Sequence, residues 1–291
     1  MERREVYFPC KGVACHGILY LPREPGGPGL VMAMGFGMVK EAHADDYAPF
    51  FVEQGFTVLA FDYRYFGRSG GMPRQHLDPY AQLDDYRCAI RYLRRTGLID
   101  GDRVCVWGTS FSGGHVISLL AFPEPGVRCG IAQVPNVYSY KTALEYFGSL
   151  EPVTALAAQL NGDSCSGRPG YIPIVSRDGP AVIQAREAVE YYLEKEKTLE
   201  TFENRITADS IPRVLAYNPG SYAELVRLPL MMVVASRDET TPPGLAREVA
   251  SRIPGPVRLV EVEGGHFDVY REPLLSRIAR EEAEWARSVV G

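Results

Sequence analysis

Three side chains of this 291-residue chain have the types and the order that acyl transfer requires: Ser110, Asp238 and His266. A serine hydroxyl is a weak nucleophile at neutral pH. It needs a base to take its proton, and the base needs an acid to hold its tautomer and orientation. Ser110 stands in Gly108-Thr109-Ser110-Phe111-Ser112-Gly113-Gly114. An apolar run leads into this stretch and an apolar-faced helical pattern leaves it, the context of a strained nucleophile elbow. The usual form is G-x-S-x-G. Here Ser112 holds the last position, where close passage of strand and helix calls for a small side chain, and Gly113 follows. Downstream of Ser110 the histidines are His115 and His266. His115 falls about one turn into the helix after the elbow, pointing away from the hydroxyl, and reads as a packing residue. His266 lies in a Gly-Gly-His turn after the last apolar run and reads as the base. Asp238 closes the preceding apolar run and reads as the orienting acid. Glu239 and Asp268 compete with it, but Asp268 follows the base so closely that it is expected to cap the next segment. An acyl-transfer site also needs donors for the developing oxyanion. The backbone N–H groups of Phe111 and of Phe36, the latter between Gly35 and Gly37, are the expected pair.

These residues need a scaffold that brings them to one edge. Glu5-Val6-Tyr7-Phe8-Pro9 and Ala14-Cys15-His16-Gly17-Ile18-Leu19-Tyr20-Leu21 read as an opening antiparallel hairpin joined by Lys11-Gly12. Apolar runs at 30–34, 56–62, 103–107 and 127–134 alternate with helical patterns at 44–54 and 79–96, and the alternation resumes from Leu228. That rhythm predicts an α/β fold, a mostly parallel sheet with helices on both faces. In such sheets ligands bind at the carboxyl ends of the strands. Gly35-Phe36-Gly37, Ser110, Asp238 and His266 all fall there. Between Asn136 and Ile211 the rhythm breaks into helices near 141–147, 151–160 and 184–202, with a Gly/Ser/Pro loop at 161–170. The expected organisation is a core of residues 1–136 and 212–291 with a helical cap at 137–211. Phe36, Val137, Tyr138 and Phe267 are expected to line the substrate pocket.

Composition narrows the rest. Hydrophobic residues make up 46% of the chain and charged residues 23%, enough for a substantial core. With a net charge of −5 and no dense basic stretch, nucleic acid is not an expected partner. No segment approaches the ~20 apolar residues that span a bilayer, and no secretory signal is seen at the N-terminus. Cys10, Cys15, Cys88, Cys105, Cys129 and Cys165 form no C-x-x-C pair and are expected to be free thiols in a reducing cytoplasm. No metal and no cofactor is expected. A homodimer is carried as an expectation with no residue pattern behind it.

The chain resembles the α/β-hydrolase superfamily over nearly its whole length. The resemblance rests on Phe61-Asp62-Tyr63-Arg64 with Gly67 and Ser69-Gly70, on the Ser110 elbow, on Asn218-Pro219-Gly220-Ser221-Tyr222 and on Gly264-Gly265-His266-Phe267. The branch it is most similar to includes dienelactone hydrolases, Xaa-Pro dipeptidyl-peptidase or cocaine-esterase-like hydrolases, and polyketide transferase-like proteins. The resemblance implies an eight-stranded sheet, a Ser110–Asp238–His266 triad and Phe36 and Phe111 as oxyanion donors. It departs from these groups in three places. Met34-Gly35 stands where His-Gly is frequent, no tyrosine replaces Phe36, and the nucleophile position holds serine rather than cysteine. The expected activity is hydrolysis of an ester or thioester through an acyl-enzyme. Acyl transfer with the same triad and a non-catalytic binding role are the alternatives.

Overall fold

The computed structural model describes residues 1–162 and 169–291. The loop expected at 161–170 and Cys165 therefore lie partly or wholly outside the described residues. Strand β1 (Glu2–Cys10) pairs antiparallel with β2 (Val13–Leu21), in register from Glu2 opposite Leu21 to Cys10 opposite Val13. Lys11 and Gly12 make the two-residue turn, both with positive φ, as the right-handed twist of a tight hairpin demands. Then come β3 (Gly29–Ala33), α1 (Ala44–Glu53), β4 (Thr57–Phe61), α2 (Pro79–Arg95), β5 (Val104–Thr109), α3 (Phe111–Ala121) and β6 (Val127–Gln133). Helix α2 starts as the Asp-Pro pair predicts: Pro79 sits in the first turn and the Asp78 carboxylate accepts from the N–H groups of Tyr80 and Ala81.

The segment before the next core strand carries α4 (Ser139–Phe147), α5 (Glu151–Gly162), β7 (Tyr171–Pro173), α6 (Arg186–Thr198), β8 (Arg205–Thr207) and α7 (Ser210–Ala216). The β7–β8 ribbon was not expected. Each strand has three residues, too few to show alternation in sequence. The core then resumes with β9 (Leu230–Ala235), α8 (Pro243–Arg252), β10 (Val257–Val262) and α9 (Leu274–Val290).

Eight strands form one sheet in the order β1-β2-β4-β3-β5-β6-β9-β10. β1 and β2 run antiparallel to their neighbours, and the remaining pairs are parallel. Strands β3, β4, β5 and β9 are buried at every residue, which is why they read as unbroken apolar runs. Helix α9 is tied to the sheet by a buried polar contact, Trp107 Nε1–H donating to Glu282 Oε2 at 2.8 Å, and by an exposed ion pair from Arg258 on β10 to Glu281 at 2.6 Å.

The cysteine expectation is corrected. Cys10 is joined to Cys88 and Cys105 to Cys129 in disulfides, with Cα–Cα separations of 5.7 and 5.0 Å, and Cys15 is the free cysteine among the described residues. The first pair comes together because α2 packs on β1. The second sits on adjacent parallel strands. Neither neighbourhood is visible in sequence spacing. No helix among the described residues is long and apolar enough to cross a membrane.

Candidate active site

Strand β5 ends at Thr109 and α3 begins at Phe111, so the elbow consists of Ser110 alone and the helix starts two residues earlier than the sequence pattern indicates. Ser110 has φ 57° and ψ −119°, a conformation that costs a non-glycine residue energy and persists only when its surroundings hold it. Here they do. Ser110 N–H donates to Gln133 O at 2.8 Å, and its carbonyl accepts from Asn136 N–H at 2.9 Å. The turn closes so tightly that a Cβ on Gly108 would stand 2.2 Å from the Ser112 carbonyl oxygen.

Ser112 does more than stay small. Its hydroxyl donates to the carbonyl of Met34 and accepts from Tyr63 O–H, the latter at 2.7 Å. The elbow helix is thereby bonded to the Met34–Gly37 loop. The rings of Phe36 and Phe111 meet edge to face, with centroids 5.3 Å apart. Phe111 N–H stands at the start of α3, where a helix has no internal partner for its donors.

His266 and Asp238 meet as the sequence reading expects. His266 Nδ1–H donates to Asp238 Oδ2 at 2.7 Å, and both side chains are buried. The other carboxylate oxygen, Oδ1, accepts from the N–H groups of Thr240 and Thr241 at 2.8 and 2.6 Å. With Nδ1 carrying the proton, Nε2 keeps its lone pair, the form a general base needs. Ser110 and His266 line one small cavity, together with Gly35, His43, Tyr191 and Tyr270. No hydrogen bond joins Ser110 Oγ to His266 among the described residues. Such bonds commonly tighten only in the complex with substrate.

Asp268, expected to cap the next segment, instead accepts the N–H of Gly265 at 2.8 Å and steadies the turn that carries His266. His115 is buried and lies away from the site. Its Nε2–H donates to Gln82 Oε1 at 3.0 Å, and Nδ1 accepts from Tyr217 O–H at 2.8 Å. Burial lowers its pKa to about 3, so it stays neutral.

A larger cavity opens on the other side of Ser110, about 610 Å³ including its mouth. Phe36 and Phe111 border it beside Ser110. Ile183, Ile211, Val214 and Leu215 give it an aliphatic wall, and Asn136, Ser139 and Thr142 give it a neutral polar one. Phe36 is where the sequence reading puts it. Phe267 lines the smaller cavity instead, stacked on Tyr191 at 4.3 Å. Val137 and Tyr138 line neither cavity. Tyr138 O–H accepts from Arg252, the Lys141 ammonium lies over its ring, and Val137 O accepts from Gly220 N–H. Both residues pack instead against the 3₁₀ turn at Pro219–Leu225, where Gly220 lies against the Tyr138 ring.

Several contributors escaped the sequence reading. His43 stacks on Tyr270 at 4.2 Å, donates from Nδ1 to Asp46 at 3.1 Å and accepts Tyr191 O–H at Nε2. Burial lowers its pKa, so it too remains neutral. An acid three residues on was the available signal. Thr241 O–H lies 2.9 Å from Asp238 Oδ2. From α6, Glu187 and Tyr192 reach the loops that carry His266, Asp238 and Phe36. Nothing local in the sequence points to either.

The alpha/beta hydrolase family model matches residues 16–275. Quorum-quenching protein AidA of Acinetobacter baumannii (strain MDR-ZJ06) is 30% identical over 98% of this chain and 95% of its own length. Thiohydrolase aneE of Aspergillus aculeatus is 31% identical over 87% of this chain and 82% of its own. The crystal structure of alpha/beta hydrolase GrgF from Penicillium sp. sh18 matches with a TM-score of 0.87 at 26% identity, covering 100% of this chain and 99% of that one. With the eight-stranded sheet and the serine elbow already in view, the match over most of the chain settles its membership: this chain belongs to the alpha/beta hydrolase family.

Proposed function

We propose that the chain is a serine hydrolase that cleaves a neutral carboxylic ester or thioester through an acyl-enzyme on Ser110. His266 Nε2 takes the Ser110 proton as Oγ attacks the acyl carbonyl. Asp238 holds the imidazolium that forms. The N–H groups of Phe36 and Phe111 receive the oxyanion. The tetrahedral adduct collapses, His266 returns the proton to the departing alcohol or thiol, and water enters by the same steps in reverse order to free the acid.

The observation that carries this reading is the 2.7 Å bond from His266 Nδ1 to Asp238, which leaves Nε2 of the neutral ring free to act as base while His266 and Ser110 line one cavity. The larger cavity supports the substrate class. Its lining side chains are uncharged and its wall is aliphatic, so it suits an apolar acyl chain with a neutral oxygen or two. The lining supports a cap role for the segment before β9, since Ser139, Thr142, Val182 and Ile183 from that segment line the cavity beside Ser110. The name of the relative thiohydrolase aneE speaks for a thioester among the candidates.

The test is turnover of medium-chain acyl thioesters and esters, with and without an added alcohol. Equal release of thiol and free acid, lost in Ser110→Ala, supports hydrolysis. Acyl-alcohol product in large excess over acid would replace this reading with acyl transfer.

A further inference from the structure

We propose that Glu187, on α6, is a positioning residue of the triad: its carboxylate clasps the base loop to the acid loop and sets a second negative charge beside the imidazolium formed in the reaction. The proposal rests on the triad reading above.

The geometry is specific. Glu187 Oε2 accepts the backbone N–H of His266 at 3.0 Å. Glu187 Oε1 accepts the N–H of Glu239 at 3.1 Å and the hydroxyl of Thr240 at 3.0 Å. One carboxylate therefore receives three donors, from the residue that carries the base and from the two residues after the acid. The base turn is shaped around it, since a Cβ on Gly265 would stand 2.3 Å from Glu187 Oε2. A side chain there would have to push the Glu187 carboxylate out of its present place. The same helix holds the oxyanion loop, Tyr192 O–H donating to the Phe36 carbonyl at 2.8 Å. Glu187 and Tyr192 thus reach the base, acid and oxyanion loops from one helix.

The charge matters as much as the tether. Glu187 is faced by His266 and Asp238 from the core loops. Burial and the Asp238 carboxylate both push the Glu187 carboxyl upward, and His266 opposes them. A neutral glutamine would keep much of the shape and lose the charge. It would also turn an amide N–H₂ toward N–H and O–H donors. When His266 takes the serine proton, the positive charge then has one carboxylate fewer to stabilise it.

The experiment measures the rate of Ser110 labelling by a fluorophosphonate from about pH 5 to pH 9, on the full chain. Glu187→Gln is expected to label about tenfold more slowly, with its acid limb shifted to lower pH by up to about one unit. Glu190→Gln, on an exposed carboxylate of the same helix paired with Arg177, is expected to leave rate and profile unchanged. Glu187→Ala opens a space where added formate is expected to restore much of the rate. That rescue keeps the proposal testable if the glutamine variant does not fold. Native rate and profile in Glu187→Gln would overturn the proposal. So would a slower variant with an unshifted profile and no formate rescue, which would mark a tether alone. Absence of labelling in the native protein would overturn the triad reading itself, and this proposal with it.

Discussion

Two buried aspartates follow core strands at the same rim and do opposite things. Asp62 comes directly after β4, and Asp238 three residues after β9. Asp62 Oδ2 accepts from Lys40 Nζ at 2.7 Å and from Arg68 N–H at 3.1 Å, and Oδ1 accepts from Lys40 N–H at 2.8 Å. Asp238 is as well supplied with donors, but its charged partner is to be His266. The Lys40–Asp62 pair is complete as it stands, so the first centre is closed: it fixes the loops after β3 and β4. Imidazole acquires its charge only when it takes a proton. The second centre is therefore open at one valence, and in the proposed reaction Ser110, which lines the same cavity, supplies that proton. Burial alone does not mark a functional carboxylate. What its partner can still accept does.

The largest effect expected from breaking this contrast is on chemistry. Asp238→Asn keeps the volume but favours the wrong imidazole tautomer. Turnover is expected to fall by about 10⁴ while the protein stays folded, as read by steady-state kinetics beside circular dichroism. Next comes Lys40→Met, which strands the buried Asp62 charge. It is expected to cost about 3–5 kcal/mol in urea unfolding, with turnover per folded molecule nearly native. A fall in turnover without loss of stability would erase the distinction between the two centres. Ser112→Ala leaves the Met34 carbonyl and Tyr63 hydroxyl short of a partner. The expected loss is about 1–3 kcal/mol, together with a raised barrier to acylation, because the Phe36 loop loses its bond to the elbow.

The smallest effect concerns a third buried carboxylate, one with no basic partner among the described residues. Burial pushes Glu282 up to about 8, partly offset by the Trp107 N–H. Its pKa in the fold lies above the ordinary glutamate value, so the native state binds the extra proton. The associated stability is present at low pH and is lost as pH rises through about 8. Glu282→Gln still accepts from Trp107 and has no proton to lose. Its melting temperature is expected to fall less than that of the native protein between about pH 5 and pH 9.

The core and the three candidate site residues were legible in the sequence for one physical reason. Strands buried on both faces must be apolar, and turn residues break those runs at their carboxyl ends, glycines around Ser110 and His266 and a polar stretch into Pro242 after Asp238, so each sits beside a readable signal. The second layer left no such mark. Glu187 is one acid among several on an amphipathic helix, and only the fold places it against Gly265. Val137 and Tyr138 were misplaced because the sequence shows that they follow β6 but not which way the chain turns. The β7–β8 ribbon and the two disulfides depend on partners distant in sequence.

The central claim is that Ser110, activated by the His266–Asp238 pair, is the nucleophile. Peptide-level mass spectrometry after exposure to a fluorophosphonate tests it directly. The account predicts a phosphonyl adduct on the peptide carrying Ser110, absent in Ser110→Ala and formed far more slowly in His266→Ala and Asp238→Asn. An adduct on another residue, or labelling of Ser110 at the native rate in both partner variants, would contradict it.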